Sequence, residues 1–264
     1  MSIYDKNGAS LNSIYDVDGN TITNIYDVNG SAIPFYSFDD STTVTDIYTS
    51  SISSQPQGGC IDDDGNVYIC LYSAGKFLKY NIGSGTLTQY SFTGSAYGHA
   101  NGMAYNPNTN HVYVASMKDT GEVYEFDTSC NLVDTLYAKD ENGTVFNCWN
   151  IAYDQTHRRF IAMSGGKMYF MDDSFDYLSF VTYDENDWAN TRQDIETDGV
   201  YVYCLSYSAN HIYVFDMQGN LVKDISNTGF SGEPESMCYD WTNDKYYIEG
   251  KSSYVVIREV VFKS

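Results

Sequence analysis

The side chains in this chain that could do chemistry recur at one register. Asn101, Trp149, Gln193 and Glu235, with Gln57 close to the same phase, each stand just ahead of a short apolar run. His99, Asn147 and Glu233 stand two residues before three of them. Amides, an indole, an imidazole and carboxylates gathered at one place supply donors and acceptors of different shapes, which is what a small polar ligand needs. Glu235 with His99 would suit a cation or a hydrogen-bonded pair. Glu233 and Glu235 make a poor pair with each other for glycoside cleavage, because an extended strand sends them to opposite sides. The chain carries no Gly-x-Ser-x-Gly elbow, no HExxH and no phosphate loop. No catalytic residue, metal ligand or cofactor is assigned.

The elements that must position these residues follow from a long internal repeat. Aligning Cys60, Met103, Ile151, Ile195 and Met237 gives spacings of 43, 48, 44 and 42. A period in the forties, built from four short strands, marks the blade of a β-propeller. Blade one is expected near 58–62, 66–72, 77–82 and 86–92, and the pattern repeats through 102–139, 149–184 and 193–226. The last blade offers only three strands, at 235–240, 245–251 and 254–262. Its missing outer strand has a donor in Thr42 to Ser50, an alternating stretch with no other partner. The expected fold is therefore all-β, a five-bladed propeller closed by an N-terminal strand, which protects edges that invite aggregation.

In such a fold the innermost strands line a central channel, and the residues above converge on one mouth. Lys76, Lys118, Lys167 and Lys251 fall at or beside turns on that face, and Arg192 enters there. A basic mouth on an acidic body would attract an anionic ligand. The competing reading is structural: lysines favour exposed turns, polar residues line a wet channel, and Trp149 fills space.

The totals set bounds. The formal charge of −21 disfavours nucleic acid and anionic membrane surfaces. No apolar run approaches the length that spans a bilayer, so membrane insertion is not expected. The 26 tyrosines and abundant turn residues favour strands over helices. Six cysteines without a CxxC pair read as free thiols. Met1 to Asp5 has no basic segment followed by an apolar core, so no signal peptide is expected and synthesis is placed in the cytoplasm.

Residues 1–36 hold a shorter repeat. Ile3-Tyr4-Asp5, Ile14-Tyr15-Asp16 and Ile25-Tyr26-Asp27 each lead to an Asn-Gly or Asp-Gly turn, with the tyrosines spaced by 11. Asp16-Val17-Asp18-Gly19 lacks the remaining ligands of a calcium loop and reads as a turn. One such unit cannot bury a core, so the units stack on each other, on the main domain or on other chains, and a homo-oligomer through them is one arrangement. The chain thus divides into a repeat module at 1–36 and a propeller at 42–264.

Gln57-Gly58, Gly98 to Met103, Arg192 to Ile195 and Gly232 to Met237 resemble the five-bladed propeller of receptor-binding and tail proteins from phages of Gram-positive bacteria. The Tyr-Asp-x-Asn/Asp-Gly units look like modules that precede it in phage-derived and gut Firmicute proteins. The resemblance covers roughly 42–264 and rests on short motifs. It implies contact with a cell-surface glycan such as wall teichoic acid, through a mouth lined by Gln57, His99, Asn101, Gln193, Glu233 and Glu235. It also implies a phage virion or extracellular setting. Asn147-Cys148-Trp149-Asn150 departs from the family pattern, which leaves the ligand open. A glycan-cleaving enzyme using Glu235 or Glu233 with His99, and a purely structural tail or scaffold protein, stand as alternatives.

Overall fold

The computed structural model describes residues 25–26, 32–33, 38–72, 76–91, 99–117, 120–183, 192–206, 211–226, 228–230, 232–251 and 254–263. Two short strands, β1 (Ile25–Tyr26) and β2 (Ala32–Ile33), pair antiparallel with Ile25 opposite Ile33. The first two repeat units lie outside the described residues. A 12-residue strand follows, β3 (Phe38–Thr49).

Blade one is β4 (Pro56–Ile61), β5 (Asn66–Leu71), β6 (Lys76–Asn81) and β7 (Thr86–Ser91). Blade two is β8 (Ala100–Asn106), β9 (His111–Ser116), β10 (Glu122–Asp127) and β11 (Leu132–Tyr137). Blade three is β12 (Ile151–Asp154), β13 (Arg159–Ser164), β14 (Lys167–Met171) and β15 (Tyr177–Thr182). Blade four is β16 (Arg192–Thr197), β17 (Tyr201–Ser206), β18 (Ile212–Asp216) and β19 (Leu221–Ile225). Blade five is β20 (Glu233–Asp240), β21 (Lys245–Lys251) and β22 (Val255–Lys263), with β3 as its fourth strand. The predicted five-bladed, N-terminally closed propeller is therefore present. Closure is antiparallel, with Val260 opposite Val44 and Ile257 opposite Tyr48, and Arg258 Nε lies 2.9 Å from Asp46 Oδ1.

The core lies between blades. Along β5, Val67, Ile69 and Leu71 pack against Tyr247 and Ile257 of blade five, while Tyr68 and Cys70 pack against Val112 and Phe126 of blade two. Alternate side chains leave opposite faces of a strand. Both faces of each middle strand are covered, so these strands read as almost continuous apolar runs. Similar clusters join blades two and three, three and four, and four and five. All six cysteines are free and buried in this packing.

The face away from the mouth accounts for part of the acidic composition. Its turns open on Asp or Asn whose side-chain oxygen accepts from backbone N–H groups further on. Asp62 accepts from Asp64 and Asn66, Asp127 from Ser129 and Asn131, and Asp216 from Gln218 and Asn220. Asp172, Asp240 and Asn81 repeat the pattern. These carboxylates are turn-formers that hydrogen-bond their own backbone.

Candidate functional site

The mouth residues are aimed by irregularities in the inner strands. The β4–β5 register slips between Pro56 and Gly58, which leaves Gln57 without a cross-strand partner. The β8–β9 register slips between Ala100 and Met103 around Asn101, the β16–β17 register between Arg192 and Asp194 at Gln193, and the β20–β21 register between Pro234 and Ser236 at Glu235. A bulge turns the extra residue out of the ladder and re-aims its side chain. Four blades thus point one polar residue toward the axis by the same device. In blade three the predicted start at 149 is not realised. β12 begins at Ile151, and Trp149 and Asn150 precede it.

The inner strands of neighbouring blades approach each other closely. A Cβ at Gly58 would sit 1.8 Å from Asn101 O, and one at Gly102 would sit 2.7 Å from Ile151 N. Gly102 N donates to Trp149 O at 2.8 Å. Only glycine allows strands to approach this closely. These approaches of blades one, two and three form a packed floor beside the mouth.

Asn101 is part of that floor. Its Nδ2 donates to Trp149 O at 3.1 Å and to Gln193 O at 3.0 Å, tying blade two to blades three and four. Asn150 Nδ2 donates to the same Gln193 carbonyl at 2.6 Å. These amides satisfy backbone oxygens left without ladder partners by the bulge and the late strand start.

Glu235 is the centre of the mouth. It is 1% exposed, and its carboxylate accepts from Gln55 Nε2 at 2.6 Å, from Gln57 Nε2 at 3.3 Å and from Gln193 Nε2. Gln57 Oε1 in turn meets His99 Nε2. Burial lowers the His99 pKa below its usual value, so the ring is neutral at pH 7. Exposed Tyr72 meets the His99 ring edge-on at 4.6 Å between centroids. Glu233, by contrast, is exposed at the start of β20 and does not join Glu235.

Beside this cluster lies a cavity of about 170 Å³ lined by Asn147, Trp149, Asn150, Met163 and Ser164. Among the described residues no acceptor reaches Trp149 Nε1, which is buried. Lys76 opens β6 on the mouth side, Lys118 lies outside the described residues, and Lys167 is held 2.5 Å from Glu141 and over Phe180.

Below the floor are three carboxyl groups that the register argument missed. Asp194 accepts from Met237 N, and Glu196 accepts from Thr197 N and Tyr239 N. Glu249 accepts from Ser236 Oγ at 2.6 Å and from Cys238 Sγ at 3.3 Å. Asp194 and Glu196 thereby staple β16 to β20, joining blades four and five. Burial, and for Asp194 and Glu196 also the neighbouring carboxylates, raises all three, Glu196 to about 8 and Glu249 to about 7. The signal available in the sequence was two acidic residues, 194 and 196, inside an inner strand whose counterparts in the other blades carry no carboxylate at either position. Gln55 was missed because it precedes the aligned register. Among the described residues, no three of His, Cys, Asp and Glu are placed to hold a metal ion.

No protein-family model matches the chain, and no curated protein matches it in sequence. Solved structures do match. A glutaminyl cyclase from Myxococcus xanthus superposes with a TM-score of 0.63 at 14% identity, covering 85% of this chain and 97% of its own. A calcium-binding protein, regucalcin from Agrobacterium tumefaciens, gives 0.55 at 9% identity, covering 84% and 95%. A streptogramin B lyase gives 0.51 at 8% identity, covering 84% and 98%. These likenesses establish the fold. Proteins that share it include enzymes and a calcium-binding protein, and function has to be argued from the site.

Proposed function

We propose that the propeller recognises a carbohydrate at the mouth, without cleaving it, and that the pocket beside Trp149 takes one terminal sugar unit. The observation that carries this reading is that pocket: about 170 Å³, with an indole, two amides and a hydroxyl in its lining and a Trp149 Nε1 that no acceptor among the described residues reaches. At about 30 Å³ per water it holds some five or six waters, less than the 300–1,000 Å³ usual for a drug-sized ligand, hence roughly a single ring. An indole offers an apolar surface to a sugar ring and a donor to its oxygens. The resemblance to phage receptor-binding propellers supports a bacterial surface glycan as the source of that ring and a tail particle as the setting. Under this proposal the repeats at 1–36 attach or assemble the propeller.

The test is a titration of the full chain against sugars and polymers of Gram-positive cell walls, with Trp149→Ala beside it. Saturable binding that weakens at least about tenfold in the variant, with no product released on long incubation, supports recognition. Binding that is unchanged by Trp149→Ala removes the pocket from the account.

A catalytic second reading is favoured by one feature. Gln57 directs its nitrogen to Glu235 and its oxygen to His99 Nε2, which leaves His99 Nδ1 as a neutral base at the mouth. Product release from a wall glycan, abolished by His99→Ala with binding retained, would establish it.

A further inference from the structure

The ligand's charge can be read from the way Glu235 orients the amides around it. A carboxylate accepts hydrogen bonds, whereas a glutamine amide has one end that accepts and one that donates. Gln55, Gln57 and Gln193 all bring Nε2 to Glu235. Each must therefore turn its Oε1 away from the carboxylate. Gln57 Oε1 is taken by His99 Nε2, so that nitrogen carries the ring proton and Nδ1 is left as an acceptor. Among the described residues no donor reaches Gln55 Oε1, Gln193 Oε1 or His99 Nδ1.

We propose that Glu235 sets the polarity of the mouth, so that the group bound there is an organic ammonium. This rests on the sugar-binding reading above and narrows it to an amino sugar with a free amine. An ammonium has three donors and no acceptor, which complements the three acceptors left open around Glu235: Gln55 Oε1, Gln193 Oε1 and His99 Nδ1. Neutral His99 does not repel it. Tyr72, 47% exposed beside His99, offers a ring to the cation. The formal charge of −21 draws cations toward the protein as a whole. Gln193 couples the two parts of the site, since its side chain donates to Glu235 while its backbone oxygen receives Asn150 of the pocket. A phosphate or carboxylate would meet the Gln55 and Gln193 oxygens and the Glu235 carboxylate behind them, so the anionic polymer expected from the sequence does not suit this part of the mouth.

The experiment titrates the full chain, below the pKa of the amine, with glucosamine, glucose and glucuronic acid, and with cyclohexylamine and cyclohexanol. Glucosamine should bind about tenfold or more tighter than glucose, the scale of one hydrogen-bonded charge, and glucuronic acid should bind worst. Glu235→Gln should abolish the preference, because a glutamine there can accept or donate and no longer fixes its neighbours. The side-chain NH₂ resonances of Gln55, Gln57 and Gln193 should shift in the same variant. If Glu235→Gln does not fold, Gln193→Met removes one displayed acceptor and should weaken the preference alone. Equal binding of glucosamine and glucose, or a preference that survives Glu235→Gln, overturns the charge inference and leaves sugar recognition standing. Binding of cyclohexylamine over cyclohexanol with no sugar bound does the reverse. No binding of any probe removes both.

Discussion

Replacing Glu249 by Gln should flatten part of an unusual pH dependence of stability. Glu249 is fully buried, and burial holds its carboxyl protonated up to about 7. In the unfolded chain a glutamic acid titrates at about 4.3. Between these values the folded state holds a proton that the unfolded state has released. Stability therefore falls as pH rises through that window, by about 1.4 kcal/mol per unit, and the fall from Glu249 ends once both states are ionised above about 7. From a pH of about 5.5 to about 7 the loss is about 2 kcal/mol, or roughly 4–8 °C in Tm for a chain of this size. Glu196, raised to about 8, acts in the same direction and extends the fall. Ordinary exposed carboxylates are ionised throughout the window, so the large net charge adds no slope; imidazoles ordinarily titrate within it, and comparing wild type with Glu249→Gln subtracts the part of the four histidines.

The assay is urea unfolding followed by tryptophan fluorescence at a series of pH values, on wild type and Glu249→Gln. Glutamine keeps an oxygen for Ser236 Oγ, whose bond to Glu249 is 2.6 Å. It also removes the negative charge that raises Glu196. The variant should lose at least about 2 kcal/mol of the fall between pH of about 5.5 and 7. A wild type whose stability is flat or rises across this window, or an undiminished fall in Glu249→Gln, would refute the assignment of protonated carboxyls beneath the mouth.

Gly58→Ala should destabilise the ring by more than about 3 kcal/mol, because its Cβ would lie 1.8 Å from a backbone oxygen of the next blade. Gly83→Ala, which meets only Asn81 Oδ1 at 3.6 Å, is the control and should melt with wild type. Deleting β3 should expose the β22 edge and yield a chain that aggregates, scored by light scattering against the full protein.

How much of this was legible in the sequence depends on what fixed each feature. The blades were legible because a strand covered on both faces must be apolar along its length, and five such strand groups repeat at a near-constant period. Closure was legible because a three-strand blade and an unpartnered strand are complementary; Thr42 to Ser50 is most of the observed Phe38–Thr49 strand. Trp149 was expected on a strand and lies before one. Its carbonyl receives Asn101 Nδ2 and Gly102 N from blade two, and those bonds replace a ladder pairing. Nothing in the local pattern at 149 announces a contact made from residue 101.

The same limit governs the mouth. A polar residue at a repeated inner position reads alike whether it faces a ligand or a neighbouring backbone. Asn101 turns out to brace Trp149 and Gln193, while Gln193, at the matching bulge, sends its amide to Glu235. The difference arises from what stands across the axis. Three glutamines around one carboxylate force one another's orientation, and Asn101 finds two carbonyls instead. A one-residue slip in four of the five inner strands creates this convergence, and flanking residues such as Pro56, Gly58, Gly102 and Pro234 are its trace in the sequence. The repeat shows where the blades are. The places where the ladder breaks its register show which side chains the fold releases from pairing, and in this propeller those places surround one buried carboxylate.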